Sequence, residues 1–216
     1  MLVLGVDEAG RGPLIGDMFV AAVAVLNEYL DVLADIGIRD SKKLSPTARR
    51  RLFNVVIHYS KYVFVRRFPP DVIDVSNISS LFIDAIRSSI RTAYALGLRP
   101  SEIYVDSTSN TQKIIDSISE LLRGDVKLVV EYKADEKYVV VAAASIVAKV
   151  LRDEYIEYLK AIYGDFGSGY PSDPRTIRWV EEVLTSGSDL PPIVRRSWKT
   201  VKKLGRKHRT LEDYLK

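Results

Sequence analysis

Leu2-Val3-Leu4-Gly5-Val6-Asp7-Glu8-Ala9-Gly10-Arg11-Gly12-Pro13 opens the chain, and the apolar run 18–26 follows it. Residues 2–6 are apolar and end in two acids, so both runs read as buried strands joined by the glycine-rich bend Gly10-Arg11-Gly12-Pro13. Ser45-Pro46 then pairs a serine cap with proline at the first helical position, and Leu52, Val55, Val56 and Tyr59 continue that helix with one apolar face. Residues 62–68 alternate apolar with basic side chains and read as a strand closed by Pro69-Pro70. The stretch 79–98 is a longer helix with Phe82, Ala85, Ile86, Ile90 and Ala93 as its core stripe, stopped by Gly97 and Pro100. A strand at 103–106, a helix at 111–122 and a strand at 126–131 come next. Val139, Val140 and Val141 favour a strand by propensity, but the alanines after them and the charged continuation through Tyr163 favour a helix. A glycine-rich loop at 164–171 precedes Asp173-Pro174, which caps another helix. This order predicts an α/β domain with a mixed sheet, residues 1–172, and a helical C-terminal segment, residues 173–216.

Composition narrows the chemistry. With 216 residues, 47% hydrophobic and 28% charged, the chain is neither disordered nor a coiled coil. It contains no cysteine, which removes disulfide scaffolds, Cys-ligated zinc, iron–sulfur clusters and thiolate nucleophiles. Only His58 and His208 are present, so a His-rich metal site or a Ser–His–Asp triad is not expected, and metal chemistry must run on oxygen ligands. Eight of the 32 basic residues lie between Arg195 and Arg209 with no acid among them, leaving 24 to face 28 acids elsewhere. A mildly acidic body with a strongly basic C-terminal segment points to a polyanion, nucleic acid first, against the plainer reading of a solvated basic helix. The longest near-apolar stretch, 138–148, is bounded by Lys137 and Lys149 and falls far short of the ~20 residues a membrane span requires. The start lacks the basic region of a signal peptide, so a cytoplasmic protein is expected. Gln112 is the only glutamine beside four asparagines, a composition that fits a thermophile.

The glycine cluster does not make a dinucleotide site. Gly16 comes one residue too late for that fingerprint, Pro13 intervenes, and a strand follows where a helix is needed. Neither a P-loop nor a serine nucleophile elbow occurs. What remains is a set of carboxylates at element ends: Asp7 and Glu8 where the first strand stops, Asp106 where a later strand stops, and Asp135 just before a helix. Sites in α/β sheets form at such ends. Adjacent strand residues face opposite ways, so Asp7 and Glu8 converge only if the chain bends, as Gly10 and Gly12 allow. Four converging carboxylates would repel one another unless a hard cation such as Mg²⁺ or Mn²⁺ neutralised them. Two such ions about 4 Å apart suit phosphodiester hydrolysis. Taken singly, each acid is as well explained as a turn or cap residue.

Sequence context changes that balance. Asp7-Glu8-Ala9-Gly10-Arg11-Gly12-Pro13 resembles the opening signature of type 2 ribonucleases H. The likeness continues in the same order through Asp40-Ser41-Lys42-Lys43-Leu44, Tyr104-Val105-Asp106-Ser107 and Lys133-Ala134-Asp135-Glu136-Lys137-Tyr138. Further blocks are Ala144-Ser145-Ile146-Val147-Ala148-Lys149, Gly167-Ser168-Gly169-Tyr170-Pro171-Ser172-Asp173 and Arg195-Arg196-Ser197-Trp198-Lys199-Thr200, and the archaeal ribonuclease HII branch is most similar. The resemblance implies an RNase H-like fold, with a mixed five-stranded sheet flanked by helices and a helical C-terminal segment. It implies Asp7, Glu8, Asp106 and Asp135 as catalytic acids binding Mg²⁺ or Mn²⁺, and a monomeric assembly is part of the same family expectation.

By the same resemblance Gly10, Arg11 and Gly12 contact the 2′-hydroxyl region at an RNA–DNA junction, and Tyr170 packs on the neighbouring sugar. Glycine permits close backbone approach, and the 2′-hydroxyl is what separates RNA from DNA. Lys42, Lys43 and Ser145 would touch phosphates. Asp40 more simply orients its own loop, Lys149 reads equally as a surface charge, His58 as a charge partner at a helix end, and Trp198 as an anchor for the basic segment. The implied activity is an endoribonuclease that cuts the RNA strand of RNA–DNA hybrids and nicks DNA 5′ of embedded ribonucleotides, leaving 3′-hydroxyl and 5′-phosphate ends. The tail His208-Arg209-Thr210-Leu211-Glu212-Asp213-Tyr214-Leu215 resembles a sliding-clamp-binding peptide with Leu211 and Tyr214 as anchors, although His208 replaces its glutamine and Leu215 its second aromatic. Two rival classes are a junction-cutting nuclease of the same fold and a non-catalytic or clamp-tethered nucleic-acid binder. Gly10-Arg11-Gly12 with Tyr170 weighs against the first, and the presence of all four acids against the second.

Overall fold

The computed structural model describes residues 1–38, 45–107 and 111–207. Its sheet has five strands in the order β3-β2-β1-β4-β5, with β1 Leu2–Ala9, β2 Met18–Leu26, β3 Ser60–Phe68, β4 Pro100–Asp106 and β5 Lys127–Glu131. β1 pairs antiparallel with β2, from Leu2 opposite Leu26 to Ala9 opposite Phe19, and parallel with β4. β4 in turn pairs parallel with β5, setting Asp106 opposite Glu131. The sheet is therefore mixed, as expected. The chain divides into two compact units. The boundary after residue 172 divides the chain in sequence, whereas these units divide it in space.

The first unit comprises Met1–Ala9, Phe19–Arg67 and Ile78–Arg152. Besides nearly all of the sheet it holds α1 Leu30–Asp35, α2 Pro46–Tyr59, α4 Ile78–Ala95, α5 Thr111–Ser119, α6 Ala134–Lys137 and the first part of α7 Val139–Tyr163. Ser45 caps α2 as expected, its hydroxyl accepting from Ala48 N at 3.2 Å. The apolar run that favoured strand by propensity is the start of α7, and its residues from Val140 to Ala144 are buried. They pack in one core with Val3, Ala21, Val23, Val25 and Val56. Gly5 in β1 is what lets α7 come so near. A Cβ there would collide with the Val140 carbonyl and lie 2.7 Å from Val141 N. Tyr62 donates to Ser89 O at 2.9 Å, tying β3 to α4.

The second unit comprises Gly10–Met18, Phe68–Asn77 and Asp153–Lys216. It contains α3 Pro70–Val75, the last turns of α7, α8 Pro174–Thr185 and α9 Lys199–Lys207. Asp173 caps α8 through Arg175 N at 3.0 Å, again as the Asp-Pro pair predicts. Leu14, Ile15, Ile156, Leu159, Phe166, Val180, Ile193, Val194 and Val201 form its apolar centre.

Candidate active site

In the first unit, the parallel pairing of β1 with β4 places Val6 beside Val105, so Asp7 and Asp106 follow at the same ends of neighbouring strands. Asp7 is 4% exposed, and its Oδ1 accepts from Glu8 N at 2.7 Å. Burial raises its pKa from the ordinary 3.8 to about 7, and the Asp106 charge adds to the rise. The Ser145 hydroxyl, the Glu8 N–H and the Lys149 ammonium pull the other way. Ser145 is fully buried facing this carboxylate, without a hydrogen bond of full geometry. It stands one turn before Lys149 on the same face of α7, and Lys149 Nζ lies 4.0 Å from Asp135 Oδ2. One ammonium thus serves both the Asp7 and the Asp135 carboxylates.

Asp135 is the second residue of α6 rather than its cap, and it is 6% exposed. The cap position is Lys133, the only non-glycine among the described residues with positive φ, at φ 57° and ψ 37°. That left-handed residue turns the chain so that Ala134 N donates to Asp106 Oδ1 at 2.7 Å. Asp106 therefore pins the start of α6, and α6 carries Asp135. β1 stays paired with β2 through Ala9, so the chain turns only at Gly10, where the glycines allow it, and Asp7 and Glu8 are adjacent residues of one paired strand. Among the described residues no three His, Cys, Asp or Glu side chains gather as a metal-holding group. The structure brings Asp7 to Asp106 and links Asp135 to them through Lys149 and Ala134. Two adjoining carboxylates, one buried and restrained from ionising by the other, are oxygen donors whose repulsion a hard divalent cation would relieve, so these residues fit Mg²⁺ or Mn²⁺.

The second unit holds the glycine loop. Gly10 has φ 84°, a turn that glycine adopts freely. Leu14 N and Ile15 N donate to Gly169 O at 2.7 and 3.3 Å, while Gly169 N donates to Thr176 Oγ1 at 3.0 Å. These bonds lay the 166–170 loop along the glycine loop, and a Cβ on Gly12 would meet Tyr170 Cε1 at 3.8 Å. The sequence-predicted Gly10, Arg11, Gly12 and Tyr170 are thus neighbours. Trp198 is the anchor it was expected to be, its indole N–H donating to Gly12 O at 3.3 Å.

Two basic residues are not solvated surface charges: Arg195, from the basic segment, and Lys149, for which a surface charge was the alternative reading. Arg195 is fully buried and donates to the carbonyls of Gly10, Arg11 and Gly16. Lys149 is only partly exposed and faces carboxylates. The four-residue spacing from Ser145 is a signal that could have found Lys149; Arg195 lies in one of the family-like blocks, but nothing in that block marks it as buried. Lys42, Lys43, Leu211 and Tyr214 lie outside the described residues.

The family model for ribonuclease HII matches residues 4–201. The chain belongs to the ribonuclease HII family. A Pyrococcus abyssi ribonuclease HII is 42% identical over 221 residues, covering 100% of this chain and 98% of that one. The crystal structure of ribonuclease H2 from Pyrococcus horikoshii superposes with a TM-score of 0.86 at 40% identity, covering 96% of this chain and 99% of that one. The ribonuclease HII of Archaeoglobus fulgidus, solved as a complex with PCNA, superposes with a TM-score of 0.82 at 38% identity over 98% of this chain and 99% of that one. Family membership makes this chain a hydrolase, an endoribonuclease acting on RNA–DNA hybrids. The RNase H-like fold expected from the sequence is present. No described helix is long and apolar enough to cross a membrane.

Proposed function

We propose that the enzyme cuts the RNA strand of hybrids and nicks duplex DNA on the 5′ side of an embedded ribonucleotide, leaving 3′-hydroxyl and 5′-phosphate ends. The observation that carries this reading is the buried Asp7 beside Asp106 at the ends of adjacent parallel strands. Asp7, Glu8, Asp106 and Asp135 would hold Mg²⁺ or Mn²⁺, in a two-ion mechanism. Bound there, divalent cations supply charge neutralisation at the scissile phosphate and acidify the attacking water. The chain's own groups prepare the place: Ser145 and Lys149 favour the ionised form of Asp7, and Lys149 also faces Asp135. Asp106, fixed by Ala134 N, keeps α6 and its Asp135 at the strand end.

In the second unit, Gly10, Arg11 and Gly12 would read the ribose and Tyr170 the next sugar. Their neighbourhood in one loop pair supports this role. Lys42 and Lys43 are proposed phosphate contacts. Ser145 was expected to join them, but its full burial against Asp7 supports an action on that carboxylate first. Exposed Lys199, Lys202, Lys203 and Arg206 on α9 offer charge to a phosphate backbone. A sliding clamp is a proposed partner through Leu211 and Tyr214, supported by the PCNA complex of the Archaeoglobus fulgidus relative.

Asp7→Asn tests the assignment. Cleavage of a hybrid in Mg²⁺ should fall by at least about a hundredfold, the scale of losing one positioned catalytic group, while hybrid binding persists. An Asp7→Asn protein that cuts at the wild-type rate refutes the assignment.

A further inference from the structure

We propose that Arg195 is the positioning residue of the Gly10-Arg11-Gly12 loop, with Asp74 as the anchor that holds Arg195's own segment in place. The guanidinium is fully buried. It donates from Nε to Gly16 O at 2.9 Å, from one terminal nitrogen to Arg11 O at 2.9 Å and from the other to Gly10 O at 2.5 Å. Trp198 continues the pattern on Gly12 O, and the guanidinium lies 5.1 Å from the Trp198 ring centre. Three consecutive carbonyls, those of Gly10, Arg11 and Gly12, are therefore held from one side. The peptide bonds are all trans among the described residues, and in a trans peptide the C=O and the following N–H point in opposite directions. Fixing the Gly10 and Arg11 carbonyls consequently sends the N–H groups of Arg11 and Gly12 to the other side, and Pro13 has no N–H to send.

The result is a pair of successive backbone donors presented by a clamped loop, the arrangement suited to a hydroxyl or oxyanion ligand. The guanidinium uses three separate nitrogens in fixed planar directions, a spread that the single nitrogen of a lysine ammonium does not reproduce. Asp74, in α3, secures the other side of the segment. It accepts from Arg196 N at 2.8 Å, from Ser197 N at 3.0 Å and from the Ser197 hydroxyl at 2.6 Å. Arg195 is also bound through its backbone, its N donating to Leu14 O at 2.8 Å. Asp74, residues 195–198 and the glycine loop thus form one hydrogen-bonded relay.

The functional half of this proposal rests on the reading of the loop as the ribose contact, so the test separates the two. Full-length Arg195→Lys and Asp74→Asn proteins would be compared with wild type by amide hydrogen exchange at Arg11 and Gly12, and by kcat and KM on a duplex with one ribonucleotide and on a long hybrid. In Arg195→Lys, exchange at these amides should rise about tenfold as the loop opens locally. The kcat on the single-ribonucleotide duplex should fall about tenfold to a hundredfold, the cost of a misplaced binding group, with KM changed much less. Asp74→Asn, a milder change that guards against failure of the first variant to fold, should move both readouts the same way by about threefold. Unchanged exchange in a folded variant overturns the clamp and leaves the ribose reading untouched. Faster exchange with unchanged kinetics on both substrates overturns the ribose reading, and with it the functional half of the proposal.

Discussion

At Asp7 the protein keeps a carboxyl group where it resists ionisation. Its folded pKa, about 7, exceeds the ordinary 3.8, so the folded state holds this proton more tightly than the unfolded chain. The resulting stabilisation is fully present below the ordinary value and is lost as pH rises through about 7. Metal-free protein should therefore lose stability between about pH 4 and pH 7 at this site, and thermal melts should show Mg²⁺ or Mn²⁺ restoring it above neutrality. Asp7→Asn should be more stable than wild type at pH 8 without metal, by on the order of 1–3 kcal/mol, and so melt higher. A lower melting point would contradict a strained, buried charge at this position. Asp106→Asn removes the neighbouring negative charge, so carbon-detected titration of Asp7 should give a value below the wild-type one. The acids stood out in the sequence through the family-like blocks around them, because position at a strand end or beside a helix left each as well explained as a turn or cap residue. The buried role of Arg195 was not legible, because a run of cations without acids points outward to a polyanion or to water, and its carbonyl partners stand 179 to 185 residues away in the chain.

Among the elements, two backbone positions set the geometry around the acids. Gly5 allows α7 to press on β1, which brings Ser145 to Asp7. Gly5→Ala would force a displacement of the helix backbone and should destabilise the protein by about 1–3 kcal/mol, as overpacking does, with a loss of cleavage beyond the loss of fold. Chemical denaturation and kinetics on the folded fraction would check both. Lys133 holds a left-handed turn ahead of α6. A β-branched residue tolerates that conformation poorly, so Lys133→Val should cost about 1–2 kcal/mol and weaken the Asp106–Ala134 bond. All five strands, the long helices and the caps Ser45 and Asp173 followed from periodicity and capping chemistry. Helices α1 and α3 did not, since six residues are too few to show a period. The short α6 was not foreseen either, since four residues show no period and a left-handed lysine ahead of them has no sequence signature.

For the whole molecule, charge and chemistry are separable. The exposed cations of α9 lie in the second unit and the acids in the first. Replacing Lys199, Lys202, Lys203 and Arg206 with serine should flatten the salt dependence of hybrid binding, by about 0.9 in logarithmic slope for each phosphate no longer neutralised, and leave kcat at saturating substrate nearly unchanged. A wild-type slope in that variant would remove α9 from the binding surface. The most direct test of the central claim is cleavage of a duplex carrying one ribonucleotide beside its all-DNA twin, in Mg²⁺ or Mn²⁺. The expected result is a single cut on the 5′ side of the ribonucleotide, with 3′-hydroxyl and 5′-phosphate ends, and an intact twin. Equal cutting of both duplexes, or of neither while hybrid binding persists, would contradict it.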